Sequence, residues 1–150
     1  MKKSIVAVAA LAIRGSAAVA QDRPKEVKAR QGQFQILAMN LGVLGGIAKG
    51  AIEYDEATAT AAADSIAGVA MVHQATLFAE GTDSMSIDGT RAMPEIWDNM
   101  DDFASKWDAL GAAAAEMQTA AATGKDAIGP ALGKIGGTCK ACHDTYRAPE

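Results

Sequence analysis

Five residues near the end of the chain, Cys139, Lys140, Ala141, Cys142 and His143, bring together two thiols three positions apart and an imidazole directly after the second. Such a C-x-x-C-H run is what covalent attachment of a c-type haem requires. The thiols form thioethers to the two vinyl groups of one porphyrin, while the adjacent ring nitrogen reaches the iron from the same side. One haem c held through Cys139 and Cys142, with His143 as its metal ligand, is therefore the first reading. Other chemistries use the same residue types. A structural zinc needs four ligands, and with two Cys and two His in the whole chain the set has to be completed by His73 or a carboxylate. A redox dithiol needs a βαβ setting, and no strand pattern flanks the segment. A disulfide between residues three apart closes too small a loop to stabilise much. The haem-free alternative is a thiol or metal-binding helical bundle.

The N-terminus bears on where this chemistry happens. Lys2 and Lys3 precede an apolar run from Ile5 to Ile13, and Ala18-Val19-Ala20 follows. A positive n-region, an apolar stretch too short to span a bilayer and a small-x-small site form an export signal. Arg14, at the end of the apolar run, is unusual there. Residues 1–20 are expected to be a cleaved signal peptide and residues 21–150 one domain. Cleavage removes Lys2, Lys3 and Arg14 and no acid, so the formal charge falls from −4 to −7. That balance argues against nucleic acid or an anionic membrane as the main partner. About 130 residues suffice for a single core.

Four amphipathic helices can be read along the mature chain. The first, Pro24 to Lys49, lines up Phe34, Leu37, Leu41, Leu44 and Ala48, with Pro24 suited to its first turn and Gly50 to its end. The second, about Asp55 to Ala79, has Asp55 as N-cap and a seam of Ala59, Ala62, Ile66, Val69, His73 and Thr76 or Leu77. The third, Pro94 to Thr123, carries the cleanest stripe: Ile96, Met100, Phe103, Trp107, Leu110, Ala114, Met117 and Ala121. The last, about Asp126 to Arg147, aligns Ile128, Leu132, Ile135, Cys139, Cys142 and Tyr146, with Pro130 expected in its first turn. Four such helices without strand candidates give an all-α fold, an antiparallel four-helix bundle with covalently bound haem. The turn-rich link from Glu80 to Met93 is expected to cross one end of it.

An exported four-helix chain with C-K-A-C-H-D-x-Y-R near its C-terminus resembles cytochrome c prime, the class II c-type cytochromes whose haem motif lies on the fourth helix. Further matches are Arg30-Gln31, Gly81-Thr82-Asp83, Pro94-Glu95-Ile96-Trp97 and Gly136-Gly137. The resemblance covers the whole mature chain. It implies attachment of haem in the periplasm of a Gram-negative bacterium, and a homodimer packed through the first two helices. One-electron exchange with a periplasmic redox partner accompanies these expectations.

In that family the sixth coordination position decides the chemistry. Low-spin relatives place a Met on the first helix just after the Arg-Gln pair; here Phe34 stands instead, and it cannot ligate iron. Met39, the nearest thioether, is five residues on and about 140° around the axis. The resemblance thus implies five-coordinate, high-spin iron, with Phe34 capping an apolar distal pocket open to NO and CO. Dioxygen, lacking a distal hydrogen-bond donor, is expected to bind poorly. A plain low-spin-like electron carrier is the alternative, and a distal role for His73 would overturn the five-coordinate reading. The resemblance places Arg147 beside the proximal imidazole, Arg30 and Gln31 at the haem edge, with Arg30 suited to a propionate, and Thr82 and Asp83 at the edge from the link. Trp97 and Trp107 read as packing residues, and Gly136-Gly137 as a site of close approach to another backbone or to the porphyrin. No paired carboxylates, activated nucleophile or phosphate loop marks an enzyme.

Overall fold

Pro24 has no backbone N–H to leave unpaired, and the first helix begins directly after it. In the computed structural model, which describes residues 23–149, α1 spans Lys25–Lys49. It ends at Gly50, whose own amide donates to Ile47 and whose φ of 75° is the left-handed conformation that lets the Ala51 and Ile52 amides bond back to Gly46. Asp55 then caps α2, Glu56–Ala70, its carboxylate accepting from the Thr58 amide at 2.8 Å. A single residue, Gly124 at φ 139°, separates α4, Met100–Thr123, from α5, Lys125–Tyr146. A short α3, Glu95–Asp98, precedes α4. The expected signal segment, residues 1–20, lies outside the described residues.

The four long helices form an antiparallel bundle in which α1 packs on α2 and α5, and α4 on α2 and α5. Cross-helix bonds fix the directions. Tyr54, ahead of α2, donates to the Ala121 carbonyl late in α4, while Trp107, early in α4, donates to Ala70 at the end of α2, both at 2.9 Å. The main core runs through Leu37, Leu44, Ile47, Ile66, Trp107, Met117, Ile128 and Ile135, with alanines filling the spaces between. A second, smaller core of Phe78, Ile96, Phe103 and Tyr146 lies where the link meets α3, α4 and the end of α5.

Three sequence expectations are corrected. The second helix stops at Ala70 rather than Ala79: Gln74 is buried and pairs its side chain with Gln33 of α1 at 2.7 Å, which draws the chain off the helical path into a 3₁₀ turn, Gln74–Thr76. His73 consequently lies outside the seam, extended and exposed. The third helix is interrupted at Asn99, where φ −136° and ψ 49° leave helical geometry. Because α5 already starts at Lys125, Pro130 sits beyond its first turn and deprives the Asp126 carbonyl of a helical partner.

Candidate haem-attachment site

The 3.6-residue period of α5 puts Cys139 and Cys142 on one face, one turn apart. Both thiols are free and half-buried, and they touch different parts of the interior: Cys139 packs on the main core and Cys142 on the aromatic one. Burial pushes both thiols above their ordinary pKa, with the Thr138 hydrogen bond opposing this at Cys139 and the Lys106 charge at Cys142. His143 follows on the exposed side of the helix. Partial burial of its ring, then the positive charges of Arg147 and Arg91, lower the imidazole's pKa against the pull of Asp144. It therefore favours the neutral form that can donate a lone pair to a metal. Among the described residues no three His, Cys, Asp or Glu side chains come together to hold a metal ion. His73 and a carboxylate therefore do not complete a zinc set with the two thiols.

Gly136 and Gly137 lie one turn before the thiols and do not mark a close approach of protein backbone. A Cβ added to either would meet no heavy atom within 4 Å. Two glycines in a helix interior cost about 1 kcal/mol each relative to alanine, and among the described residues nothing occupies the space that alanine methyls would take there. The bare face they leave beside two side-by-side thiols and a neutral imidazole suits a flat, thioether-linked ring, so the residues present fit a haem.

The aromatic core holds the end of α5. Tyr146 stands edge-on to Phe103 at 5.4 Å, and Phe103 to Phe78 at 4.7 Å. The Tyr146 hydroxyl donates to the Asp102 carboxylate at 2.6 Å. Burial, and then that carboxylate, push the phenol up to about 12, while the same hydrogen bond lowers the Asp102 carboxyl. Arg147 is not on the next turn of α5: the helix ends at Tyr146, and Arg147 is extended, its amide donating to His143 at 3.3 Å. It pairs instead with Ala92 in an isolated antiparallel bridge.

The α1 residues expected at a haem edge are committed to the link. Arg30 is only 2% exposed, and its guanidinium donates to Thr82 Oγ1 and Thr90 Oγ1 at 2.7 Å each, and to the Thr82 carbonyl. It also lies over the Phe78 ring, 4.8 Å from the centroid. Burial lowers its pKa and the Asp83 charge opposes that. Gln31 donates to the Gly89 carbonyl at 2.8 Å. Thr82 is buried, whereas the Asp83 carboxylate caps a local turn, accepting from the Met85 and Ser86 amides at 2.8 and 3.0 Å. Phe34 is 38% exposed and meets Trp107 edge-on at 6.0 Å. The sequence reading missed the buried pair Gln33 and Gln74, and Thr90. Two polar residues, Arg30 and Gln33, at helical spacing on the face that also carries Val27 and Leu37 were the available signal.

A helical bundle presenting paired thiols and an adjacent imidazole on its last long helix defines a c-type haem protein. Residues 25–147 match the family model described as Cytochrome C′. The chain is 39% identical over 132 residues to cytochrome c′ of Cereibacter sphaeroides, covering 88% of this chain and 89% of the relative. The solved structure of cytochrome c′ from Rhodobacter spheriodes superposes with a TM-score of 0.78 at 38% identity, covering 83% of this chain and 96% of the other. A nitric oxide complex of a mutant cytochrome c prime from Alcaligenes xylosoxidans, 31% identical, superposes at 0.72 and covers 83% of this chain and 94% of that one. A carbon monoxide-bound variant of the same protein, also 31% identical over the same shares, superposes at 0.71. The chain belongs to the cytochrome c′ family, and its cofactor is haem c.

Proposed function

We propose that this cytochrome works in the periplasm with five-coordinate, high-spin iron, binding NO and CO on an apolar distal face and exchanging single electrons with a partner. The observation that carries the reading is Phe34. It occupies the α1 position after the Arg-Gln pair where low-spin relatives place a methionine, and its exposed ring supplies no ligand atom. Met39 is 73% exposed, and about 140° around the axis from Phe34. His73 is exposed and off the helix. A low-spin carrier needs a second side-chain ligand, and neither residue offers one beside Phe34.

When bound, the haem would supply an iron able to take up one electron and a diatomic ligand. His143 would hold that iron, and the charge of Arg147 nearby would favour negative charge on a bound species. Phe34, edge-on to Trp107, would crowd the distal side and exclude water, admitting small uncharged gases as its ring moves. Arg30 and Gln31 hold the link against α1 through Thr82, Thr90 and Gly89. The gas-bound Alcaligenes structures support NO and CO as ligands. The signal at residues 1–20 supports the periplasm. Exposed Ile36 and Met39 on α1, with Met71 and Val72 at the end of α2, support a homodimer through these helices.

Adding NO and CO to the ferrous holoprotein tests the reading. Each gas is expected to shift the Soret band of a high-spin spectrum stoichiometrically. A ferrous protein with sharp low-spin α and β bands that CO does not alter contradicts it.

A further inference from the structure

The link and the chain end are stitched together beside the haem ligand. Ala92 bridges Arg147, the Met93 amide donates to the Tyr146 carbonyl at 3.0 Å, and the Ala148 amide donates to the Arg91 carbonyl at 2.9 Å. The Arg91 side chain closes the same stitch, its Nε donating to the Ala148 carbonyl at 2.7 Å. A half-buried guanidinium from the link is thereby fixed against the segment that directly follows α5. Arg147 belongs to the haem motif itself, whereas Arg91 lies 52 positions before His143 and is brought to this place by the stitch. The Arg147 amide in turn donates to the His143 carbonyl at 3.3 Å, so the stitch is anchored on the last turn of α5, the turn that carries His143.

We propose that Arg91 is a second cation on the His143 side of the iron, raising the iron's reduction potential together with Arg147. The inference rests on the haem reading above. Reduction adds one electron at the iron, so a nearby fixed positive charge stabilises the ferrous state over the ferric one. A unit charge lying roughly 10 Å from the iron and acting through an effective dielectric of about 40 would change that equilibrium about fourfold. For a one-electron couple, fourfold is about 35 mV. Because Arg91 is only half-buried, salt screens the effect.

The test is the midpoint potential of holoprotein in wild type, Arg91→Gln and Arg91→Lys, at low and high salt, with thermal melts alongside. Arg91→Gln is expected to lower the potential by about 35 mV at low salt, and less at high salt. Arg91→Lys keeps the charge while losing the guanidinium hydrogen bond, and is expected to retain most of the wild-type potential even where its melt drops. An unchanged potential in Arg91→Gln, or an equal fall in Arg91→Lys, overturns the inference and leaves Arg91 as a structural tie. Wild-type protein without a Soret band overturns the haem reading instead, so the two failures are distinguishable.

Discussion

Replacing Arg30 with methionine removes the group that fastens the link to α1. The substitution nearly conserves volume and apolar stem, so little cavity results. What is lost is polar. The Thr82 carbonyl, Thr82 Oγ1 and Thr90 Oγ1 all accept from the guanidinium, and Thr82 and Thr90 are 6% and 9% exposed. An unsatisfied buried acceptor costs about 1–3 kcal/mol. Each hydroxyl keeps one other bond: Thr90 Oγ1 still accepts from the Ala92 amide at 3.3 Å, and Thr82 Oγ1, though left without a donor, still donates to the Ala79 carbonyl at 2.7 Å. The Thr82 carbonyl therefore bears most of the cost, and the stacking over Phe78 is lost too. Methionine relieves the desolvation of a buried cation, which offsets part. The net expectation is a destabilisation of about 3 kcal/mol, or about 10 °C in melting temperature for a domain of this size. Arg30→Lys keeps the charge with one donor head in place of the fork, and is expected to fall about halfway. Denaturant unfolding measures the free energy, and amide exchange over residues 77–93 shows whether the link loosens before the bundle. A methionine variant within about 0.5 kcal/mol of wild type, or unchanged exchange in the link, refutes the account of Arg30 as the fastening.

Asp55, Asp83 and Asp102 all have carboxyl pKa values below the ordinary 3.8, held there chiefly by hydrogen bonds from Thr58, Ser86 and Tyr146 respectively. A depressed folded value stabilises the fold above the unfolded pKa and is lost as pH falls through the folded one. Melting temperature is therefore expected to fall as pH drops below about 4, and less steeply in Asp55→Asn, which keeps an acceptor for the cap. For Tyr146 the sign reverses, because the folded phenol is raised from 10.0 to about 12. Its contribution is complete below pH 10 and is lost as pH rises toward 12. Ultraviolet titration should show a late phenolate step that Tyr146→Phe removes. Ile66, fully buried in the main core, should cost about 2–5 kcal/mol when cut to alanine, as read by denaturant unfolding. Introducing a charge at Met39, 73% exposed, should leave the monomer's melt nearly unchanged while shifting sedimentation from dimer to monomer.

The sequence made legible what local chemistry decides. The α4 stripe from Phe103 to Ala121 is buried as its spacing of three and four implies, Asp55 caps α2, and Gly50 ends α1. The break at Asn99 was hidden because Ile96, Met100 and Phe103 keep helical spacing across it. The end of α2 at Ala70 depends on a tertiary bond between Gln33 and Gln74, 41 residues apart, which no window along the chain contains. The thiols and His143 could be found from their spacing alone. The commitment of Arg30 to the link could not, since a propionate and a set of threonine oxygens ask the same of an arginine. The stitch that brings Arg91 to the chain end is likewise visible only once Ala92 and Arg147 are placed side by side.

The central claim is that His143 is the only protein ligand to the iron and that Phe34 stands where a second would be. The most direct measurement is the ferrous optical spectrum of wild-type holoprotein beside Phe34→Met. The account predicts a high-spin wild type without split α and β bands, and a shift toward a low-spin spectrum when the thioether is introduced. A low-spin wild type, or a Phe34→Met spectrum that stays identical to a high-spin wild type, contradicts it.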